Sequence, residues 1–286
     1  MQQKLEKISR TKDVWFKYRR GEEILQLLED RLSEPPSHRT RNILIVAETN
    51  NGKTSLAMRF LRRHQARLHL ASVSVVPILK IEATAAEEGR FYNAILEALP
   101  VYKYGQKERS DMKELTVIRA LRDCGIQMLM IDEFQNLLNA PPQKQRNFLR
   151  VIKLLGNELM IPIVGLGTRE AFNAITSDPQ IANRFQVVGL PKWTLEGENP
   201  DEPSEYRQFL ATFDGLLPLP KKSDLGNDPL AEKIFGLSEG TIGEAADLVR
   251  DAAKWSVRMG LERITEEALT RCGYVSPSRR SSVVLQ

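Results

Sequence analysis

Cysteine, histidine and long apolar runs are all scarce in this sequence of 286 residues. The only cysteines, Cys124 and Cys272, cannot form a disulfide framework, and no CxxC pair or Cys/His cluster offers ligands for a metal. The longest apolar stretch, residues 70–79, is broken by serines and a proline, which excludes a membrane-spanning helix. Residues 1–10 lack the apolar core of a secretion signal. We therefore expect a cytoplasmic protein that does not associate with membranes.

A large excess of charge of one sign is also missing. The chain has 41 Lys and Arg against 37 Asp and Glu, a formal net charge of +4. This mild basicity is compatible with nucleic-acid binding but does not require it. Hydrophobic residues make up 42% of the chain and charged residues 27%, which excludes a disordered or fibrous chain.

Short apolar runs alternate with helical patterns through the first two thirds of the chain. Strands that alternate with helices are joined by crossover connections, which predicts an α/β fold with a parallel sheet covered on both faces. Beyond residue 229 every periodic segment is helical. The runs predicted as buried strands are residues 43–46, 74–81, 128–131, 161–166 and 186–190.

The segment between the first strand and the next helix, residues 47–54, reads AETNNGKT. A phosphate-binding loop needs inward-pointing backbone N–H groups, a lysine for the β- and γ-phosphates, and a hydroxyl for Mg²⁺. Gly52, Lys53 and Thr54 match the end of that pattern, whereas Ala47 replaces its first glycine. The flanking strand and helix favour this interpretation over an exposed turn with a chance lysine. We predict ATP contacts from Thr49, Asn50, Asn51, Gly52, Lys53, Thr54 and Ser55.

A second motif ends the third predicted strand, where Asp132 and Glu133 follow four apolar residues. If this strand neighbours the strand of the phosphate loop, Asp132 joins Thr54 in holding Mg²⁺. Glu133 would then polarise the attacking water. Alone, the motif also fits a strand end capped by solvated charge, but its pairing with the upstream loop favours a nucleotide site.

Two further residues carry weaker signals. Thr168 follows the fourth predicted strand, where it can sense the γ-phosphate or orient water, although a helix N-cap threonine explains it equally well. Arg184 precedes the fifth strand. An arginine there can reach the nucleotide of a neighbouring subunit and stabilise charge on the transferred phosphoryl group. An ordinary surface arginine is the alternative.

A basic stretch at residues 102–109 interleaves aromatic residues with Lys103, Lys107 and Arg109. Such a loop can follow the phosphate backbone of duplex DNA without regard to sequence. Because acidic residues dilute the charge, a solvated loop is an equally good interpretation. These three cations are our candidate DNA contacts.

Taken together, the motifs resemble the AAA+ ATPases of transposition, specifically the TniB/TnsC group. Each motif alone is shared by many ATPases, whereas the ordered set is specific. The similar segments are DVWFKY at 13–18 for the N-terminal D-x-W-x-x-Y pattern, the strand and nucleotide loop at 41–54, IDEFQNLL at 131–138 for Walker B, GLGT at 165–168 for sensor 1, ANRF at 182–185 for the arginine-finger segment, and EGTIGE at 239–244 for the start of the lid helix.

The resemblance implies an AAA+ P-loop NTPase with a parallel five-stranded sheet and a small C-terminal all-helical lid, with ATP and Mg²⁺ as cofactors. It also implies an ATPase that regulates DNA transposition. Relatives form homo-oligomers on duplex DNA, recruit a DDE transposase, and are disassembled by hydrolysis. They work with a target-selection protein, in some elements a CRISPR effector or a TniQ-like protein. Glu244 stands where many AAA+ relatives carry a sensor 2 arginine, which is a departure from the family pattern.

Changes of composition divide the chain into four predicted segments. Residues 1–40 form a basic and aromatic N-terminal segment that includes a helix, and residues 41–190 form a nucleotide-binding α/β domain. Residues 191–275 form a helical lid domain, and residues 276–286 form a flexible tail.

Three other functions share parts of this evidence. A helicase loader or initiator of replication would contain every nucleotide motif. A small-molecule P-loop kinase is disfavoured by the adjacent Asp132 and Glu133, which point to activation of water. A nucleotide switch without hydrolysis would act as a scaffold alone.

Overall fold

A computed structural model of the chain describes residues 1–11, 14–37, 40–71, 77–84, 87–99, 110–138, 140–176, 179–197 and 202–283. The chain forms two compact units. The sheet unit consists of Arg19–Thr49 and Lys53–Leu190. The helical unit consists of Met1–Tyr18, Asn50–Gly52 and Pro191–Gln286. The four segments inferred from composition stay a prediction.

The sheet unit is built on five parallel strands, namely β1 (Asn42–Val46), β2 (Ile78–Glu82), β3 (Met128–Asp132), β4 (Ile163–Gly167) and β5 (Phe185–Gly189). Their order in the sheet is β2-β3-β4-β1-β5. The predicted parallel five-stranded sheet is therefore confirmed. However, β4 lies between β1 and β3. The strand that ends in Asp132 is therefore not a neighbour of the strand that precedes the phosphate loop, which was the condition for bringing Asp132 and Thr54 together.

Helices flank this sheet and bury its apolar side chains. All five residues of β3 are buried, as are all five of β4, which explains why these strands read as continuous apolar runs. Phe134, Phe148 and Leu155 extend the same core. The helices are α2 (Arg19–Ser33), α3 (Lys53–Ala71), α4 (Glu88–Ala98), α5 (Ser110–Asp123), α6 (Gln135–Leu138), α7 (Pro142–Leu159), α8 (Arg169–Thr176) and α9 (Pro179–Ala182).

The helical unit has a core of its own, which the N-terminal helix helps to fill. Ile8 is fully buried there with residues such as Leu210, Ile234 and Leu248. The elements are α1 (Gln2–Arg10), α10 (Glu205–Leu216), α11 (Leu230–Ser238), α12 (Ile242–Arg258), α13 (Glu266–Arg271), a 3₁₀ turn at Pro277–Arg279 and α14 (Arg280–Val283). Composition did not predict α1, α10 or the helical residues after 276.

Aromatic side chains tie the N-terminal segment into this unit. Phe16 lies 6.1 Å from Trp193 and 5.7 Å from Phe209 between ring centroids, and Tyr18 lies 4.7 Å from Trp193. Contacts of this kind add to the burial of the rings. Within the described residues, no helix is long and apolar enough to cross a bilayer.

Candidate nucleotide site

The predicted phosphate loop connects the end of β1 with the first turn of α3. Asn50 and Gly52 adopt positive φ angles of 59° and 87°, a region that glycine enters freely and asparagine tolerates. The loop therefore has the left-handed residues that turn backbone N–H groups toward an anion in phosphate-binding nests. Thr49 and Ser55, at its two ends, are exposed.

Lys53 is the first residue of α3 and only 6% exposed. Its Nζ donates to the carbonyl oxygens of Ala47 at 3.0 Å and Glu48 at 2.8 Å. Burial lowers the pKa of Lys53, while carboxylates including Glu133 and Asp132 act in the opposite direction. Phosphate oxygens in the loop would be stronger, charge-assisted acceptors than these two carbonyls.

Thr54, in the first turn of α3, meets Asp132 at the end of β3, although β1 and β3 are not adjacent. The Thr54 hydroxyl donates to Oδ2 of Asp132 at 2.9 Å, and Oδ1 of Asp132 accepts the Glu133 N–H at 3.0 Å. Asp132 is only 3% exposed. A hydroxyl and a carboxylate are the hard oxygen ligands that Mg²⁺ prefers, so the donor set fits that ion.

Lys80, which belongs to none of the sequence motifs, lies beside this pair. Nζ of Lys80, on β2, is 2.9 Å from Oδ2 of Asp132. Glu82 pairs with Asp132 and Lys80 with Met130, so Lys80 is two residues along β2 on the same face as the aspartate. The sequence did contain one indication that Lys80 has a special role, because it is the single cation within residues 74–81, the run predicted as this strand.

Gln135 connects the two residues predicted to act on water. Its Nε2 donates to Oε2 of Glu133, and its Oε1 accepts the N–H of Thr168 at 3.2 Å. The Thr168 hydroxyl donates to Glu170, which holds the pKa of that exposed carboxylate below its usual range. Gln135 was visible in the sequence only as part of the Walker B-like segment.

Arg184 directly precedes β5, as the sequence predicted. Its Nη1 donates to Oδ1 of Asn157, on α7, at 2.8 Å. The described partners of this guanidinium thus lie on α7, apart from the group formed by Lys53, Asp132 and Glu133. Such a position suits a residue that acts on another subunit, and it equally suits a surface arginine.

The tip of the phosphate loop belongs to the helical unit. Asn51 is buried and its Nδ2 donates to the carbonyl of Pro191 at 2.9 Å. Asn50 contacts the start of α12, because the backbone carbonyl of Asn50 accepts the N–H of Gly243 at 3.0 Å. These contacts anchor the loop between Thr49 and Lys53.

Some predicted residues lie outside the part of the chain that the structure describes. They include the three candidate DNA contacts, Lys103, Lys107 and Arg109, and also Asp13 of the N-terminal pattern.

Comparison with known proteins points to one family. The family described as "Bacterial TniB protein" matches residues 5–195. The ORC1-type DNA replication protein 1 of Aeropyrum pernix is 26% identical over 231 residues, which cover 79% of this chain and 56% of that protein. The chain thus spans little more than half the length of that relative.

Solved structures show the same fold. The Aeropyrum pernix ORC1 protein in complex with DNA superimposes with a TM-score of 0.68 and 22% identity, covering 88% of this chain and 63% of that one. The Aeropyrum pernix ORC2 protein, solved as ADPNP-ADP complexes, gives a TM-score of 0.67 at 14% identity, covering 90% and 68%. The fold is that of an AAA+ P-loop NTPase, a parallel five-stranded sheet flanked by helices together with a helical lid.

Proposed function

Because this chain belongs to the family of bacterial TniB proteins, we propose that it is an ATP-dependent regulator of DNA transposition. In this proposal it assembles on duplex DNA as a homo-oligomer and recruits a DDE transposase. A target-selection protein, a CRISPR effector or a TniQ-like protein in some elements, directs it, and ATP hydrolysis disassembles it. The observation that carries the proposal is the group formed by Lys53, Thr54, Asp132 and Glu133 at one end of the sheet.

The residues of this group have the chemistry to bind ATP with Mg²⁺. Lys53 would exchange its two carbonyl partners for oxygens of the β- and γ-phosphates, and Thr54 and Asp132 would hold Mg²⁺. Bound Mg²⁺ neutralises charge that develops on the phosphate oxygens during transfer. Burial of Lys53 and Asp132 strengthens their electrostatic interactions with the phosphates and the metal.

Hydrolysis requires a water molecule aligned with the γ-phosphate. Glu133 is proposed to orient and polarise that water. Gln135 holds the Glu133 carboxylate by a hydrogen bond and ties it to the Thr168 backbone at the end of β4. Thr168 is proposed to sense the γ-phosphate, and Arg184 is proposed to complete the site of a neighbouring subunit.

DNA binding is proposed from a structural neighbour and from the net charge of the chain. The structure that superimposes with a TM-score of 0.68 is described as a complex of the ORC1 protein with DNA. A net charge of +4 gives one subunit few phosphate contacts, so that binding would depend on an oligomer that sums them along the duplex. Lys103, Lys107 and Arg109 remain the proposed contacts.

Nucleotide turnover gives the first test of this function. Lys53→Ala should abolish ATP binding, because it removes the charge-assisted phosphate contact. Glu133→Gln should retain binding and slow turnover by about 10²–10⁴-fold, because the water loses its polarising carboxylate. ATP affinity and phosphate release, with and without duplex DNA, measure both effects.

Two surface substitutions control for nonspecific damage. Lys144 is exposed, and Glu158 forms an exposed ion pair with Arg122. Lys144→Ala and Glu158→Gln should match the wild type. Equal turnover by wild type and Glu133→Gln would refute the assigned role of Glu133.

A second candidate function is loading or initiation at a replication origin. The 26% identity to an ORC1-type DNA replication protein favours it. The two functions differ in the protein that the ATP-bound assembly captures on DNA. Retention of a DDE transposase supports transposition, whereas retention of a replicative helicase in its place would support the alternative.

A further inference from the structure

The first turn of α12 contains a buried carboxylate with an unusually complete set of donors. Glu244 is 5% exposed. It accepts hydrogen bonds from Nδ2 of Asn50 at 3.0 Å and from the Tyr274 hydroxyl at 2.7 Å. Arg280 donates through both terminal nitrogens, with Nη1 at 3.0 Å. Although burial acts to raise the pKa of Glu244, these hydrogen bonds hold it below its usual range.

Asn50 joins this carboxylate to the phosphate loop. Its Nδ2 lies 3.0 Å from Glu244 and 3.2 Å from Oδ2 of Asp247, and its carbonyl accepts the N–H of Gly243. A β-carbon at Gly243 would lie 2.3 Å from the backbone carbonyl oxygen of Asn50. Only glycine allows this approach, so helix and loop tip are fitted closely to each other.

The other two donors come from the C-terminal segment, residues 274–280. A further contact seats this segment, since the Ser278 N–H donates to the Glu239 carboxylate at 2.9 Å. The C-terminal segment therefore contacts two carboxylates, Glu239 just before α12 and Glu244 in its first turn. The segment, Glu244 and Asn50 all belong to the helical unit.

We propose that the C-terminal segment positions the tip of the phosphate loop through Glu244, with Arg280 as the controlling positioning residue. Arg280 and Tyr274 fix the carboxylate, and the carboxylate fixes the Asn50 side chain. Arg280 also compensates a negative charge that would otherwise oppose phosphates bound to this loop. Glu244 thus acts on the loop through Asn50, with Arg280 as its paired cation. This inference rests on the proposed binding of ATP.

A double-mutant cycle on the full chain tests the proposal with ATP and Mg²⁺ as the probe. Arg280→Ala should weaken ATP affinity on the order of tenfold, because an uncompensated carboxylate is left beside the loop. Glu244→Gln should weaken it less, since the amide carries no charge. In the Glu244→Gln background, adding Arg280→Ala should have almost no further effect. In the otherwise wild-type chain, Arg280→Lys should keep part of the affinity that Arg280→Ala loses.

A second measurement does not depend on nucleotide. Amide hydrogen exchange of residues 47–53 should be faster in Arg280→Ala than in wild type, because the loop tip loses its support. Arg271→Ala is the matched control. Its ion pair with Glu267 is exposed and lies in the same unit, so it should leave affinity and exchange unchanged.

The outcomes separate the inference from the proposed function. Unchanged affinity and exchange in Arg280→Ala would overturn the positioning role while ATP binding by the wild type stands. An Arg280→Ala effect of the same size in the wild type and in the Glu244→Gln background would overturn it as well. If the wild type fails to bind ATP, the proposed function falls. Faster exchange in Arg280→Ala would then still support the mechanical link to the loop.

Discussion

Lys80 brings a positive charge to the carboxylate that is proposed to hold Mg²⁺. Its Nζ and the Thr54 hydroxyl both contact Oδ2 of Asp132. A cation at this oxygen satisfies the buried aspartate, and it also competes with a metal ion for the same lone pairs. Asp132 would therefore hold the metal only if Oδ2 gave up or shared its contact with Lys80.

We predict that Lys80→Met lowers the Mg²⁺ concentration needed for half-maximal ATP turnover several-fold, because the competing ammonium is removed. The melting temperature without nucleotide should fall, since a buried carboxylate that loses a partner costs about 1–3 kcal/mol. Titration of turnover with Mg²⁺ measures the first effect. Lys113→Met is the control, because the Lys113 amine contacts Asn93 instead. An unchanged Mg²⁺ requirement in Lys80→Met would contradict the competition.

At the scale of elements, α1 is held in the helical unit by little apolar surface. Ile8 is its buried residue, and the remaining positions are mostly polar, so the sequence shows no apolar stripe to predict the helix. In α10 a stripe does exist, with Tyr206, Phe209, Leu210 and Phe213 all buried. The acidic and proline-rich composition around it concealed a periodicity typical of a helix.

Strands and the phosphate loop were easier to predict than these helices. A strand buried on both faces is a continuous apolar run, and the loop motif follows β1 directly, so both signals are local in the sequence. The partners of Asp132 and Glu244 are different. Lys80 lies 52 residues before Asp132 and Arg280 lies 36 after Glu244, and only the fold brings them together.

Removal of the Ile8 side chain should loosen the helical unit. Ile8→Ala leaves a cavity in its core, with an expected loss of about 2–5 kcal/mol in the free energy of unfolding. All three tryptophans of the chain, at positions 15, 193 and 255, lie in this unit, so tryptophan fluorescence during urea unfolding reports on it selectively. Lys4→Ala, on the same helix but exposed, should unfold like the wild type. The same midpoint for Ile8→Ala would argue against a structural role for α1.

At the scale of the whole molecule, the proposed oligomer would complete each nucleotide site with Arg184 of a neighbour. Arg184→Ala should leave ATP binding by one subunit unchanged and reduce turnover, since the cation that stabilises the transferred phosphoryl group is missing. Mixing Arg184→Ala with Lys53→Ala protein is the sharper measurement. Each variant supplies what the other lacks, so turnover should rise above that of either alone. A flat response at every mixing ratio would exclude an arginine acting between subunits.

The burial of Ile8 among helices that begin at Glu205 or later decides how this chain can be divided in the laboratory. Cutting the chain near residue 190 gives two pieces, and it separates α1, Phe16 and Tyr18 from Trp193 and Phe209. Neither piece then contains a full helical core. Fragments that follow the order of the sequence will expose apolar surface. A circular permutant can instead begin at residue 191 and join Val283 to Met1 through a linker. Its helical unit is then one continuous stretch that contains every core contact of the unit, apart from those of the loop tip at Asn50–Gly52.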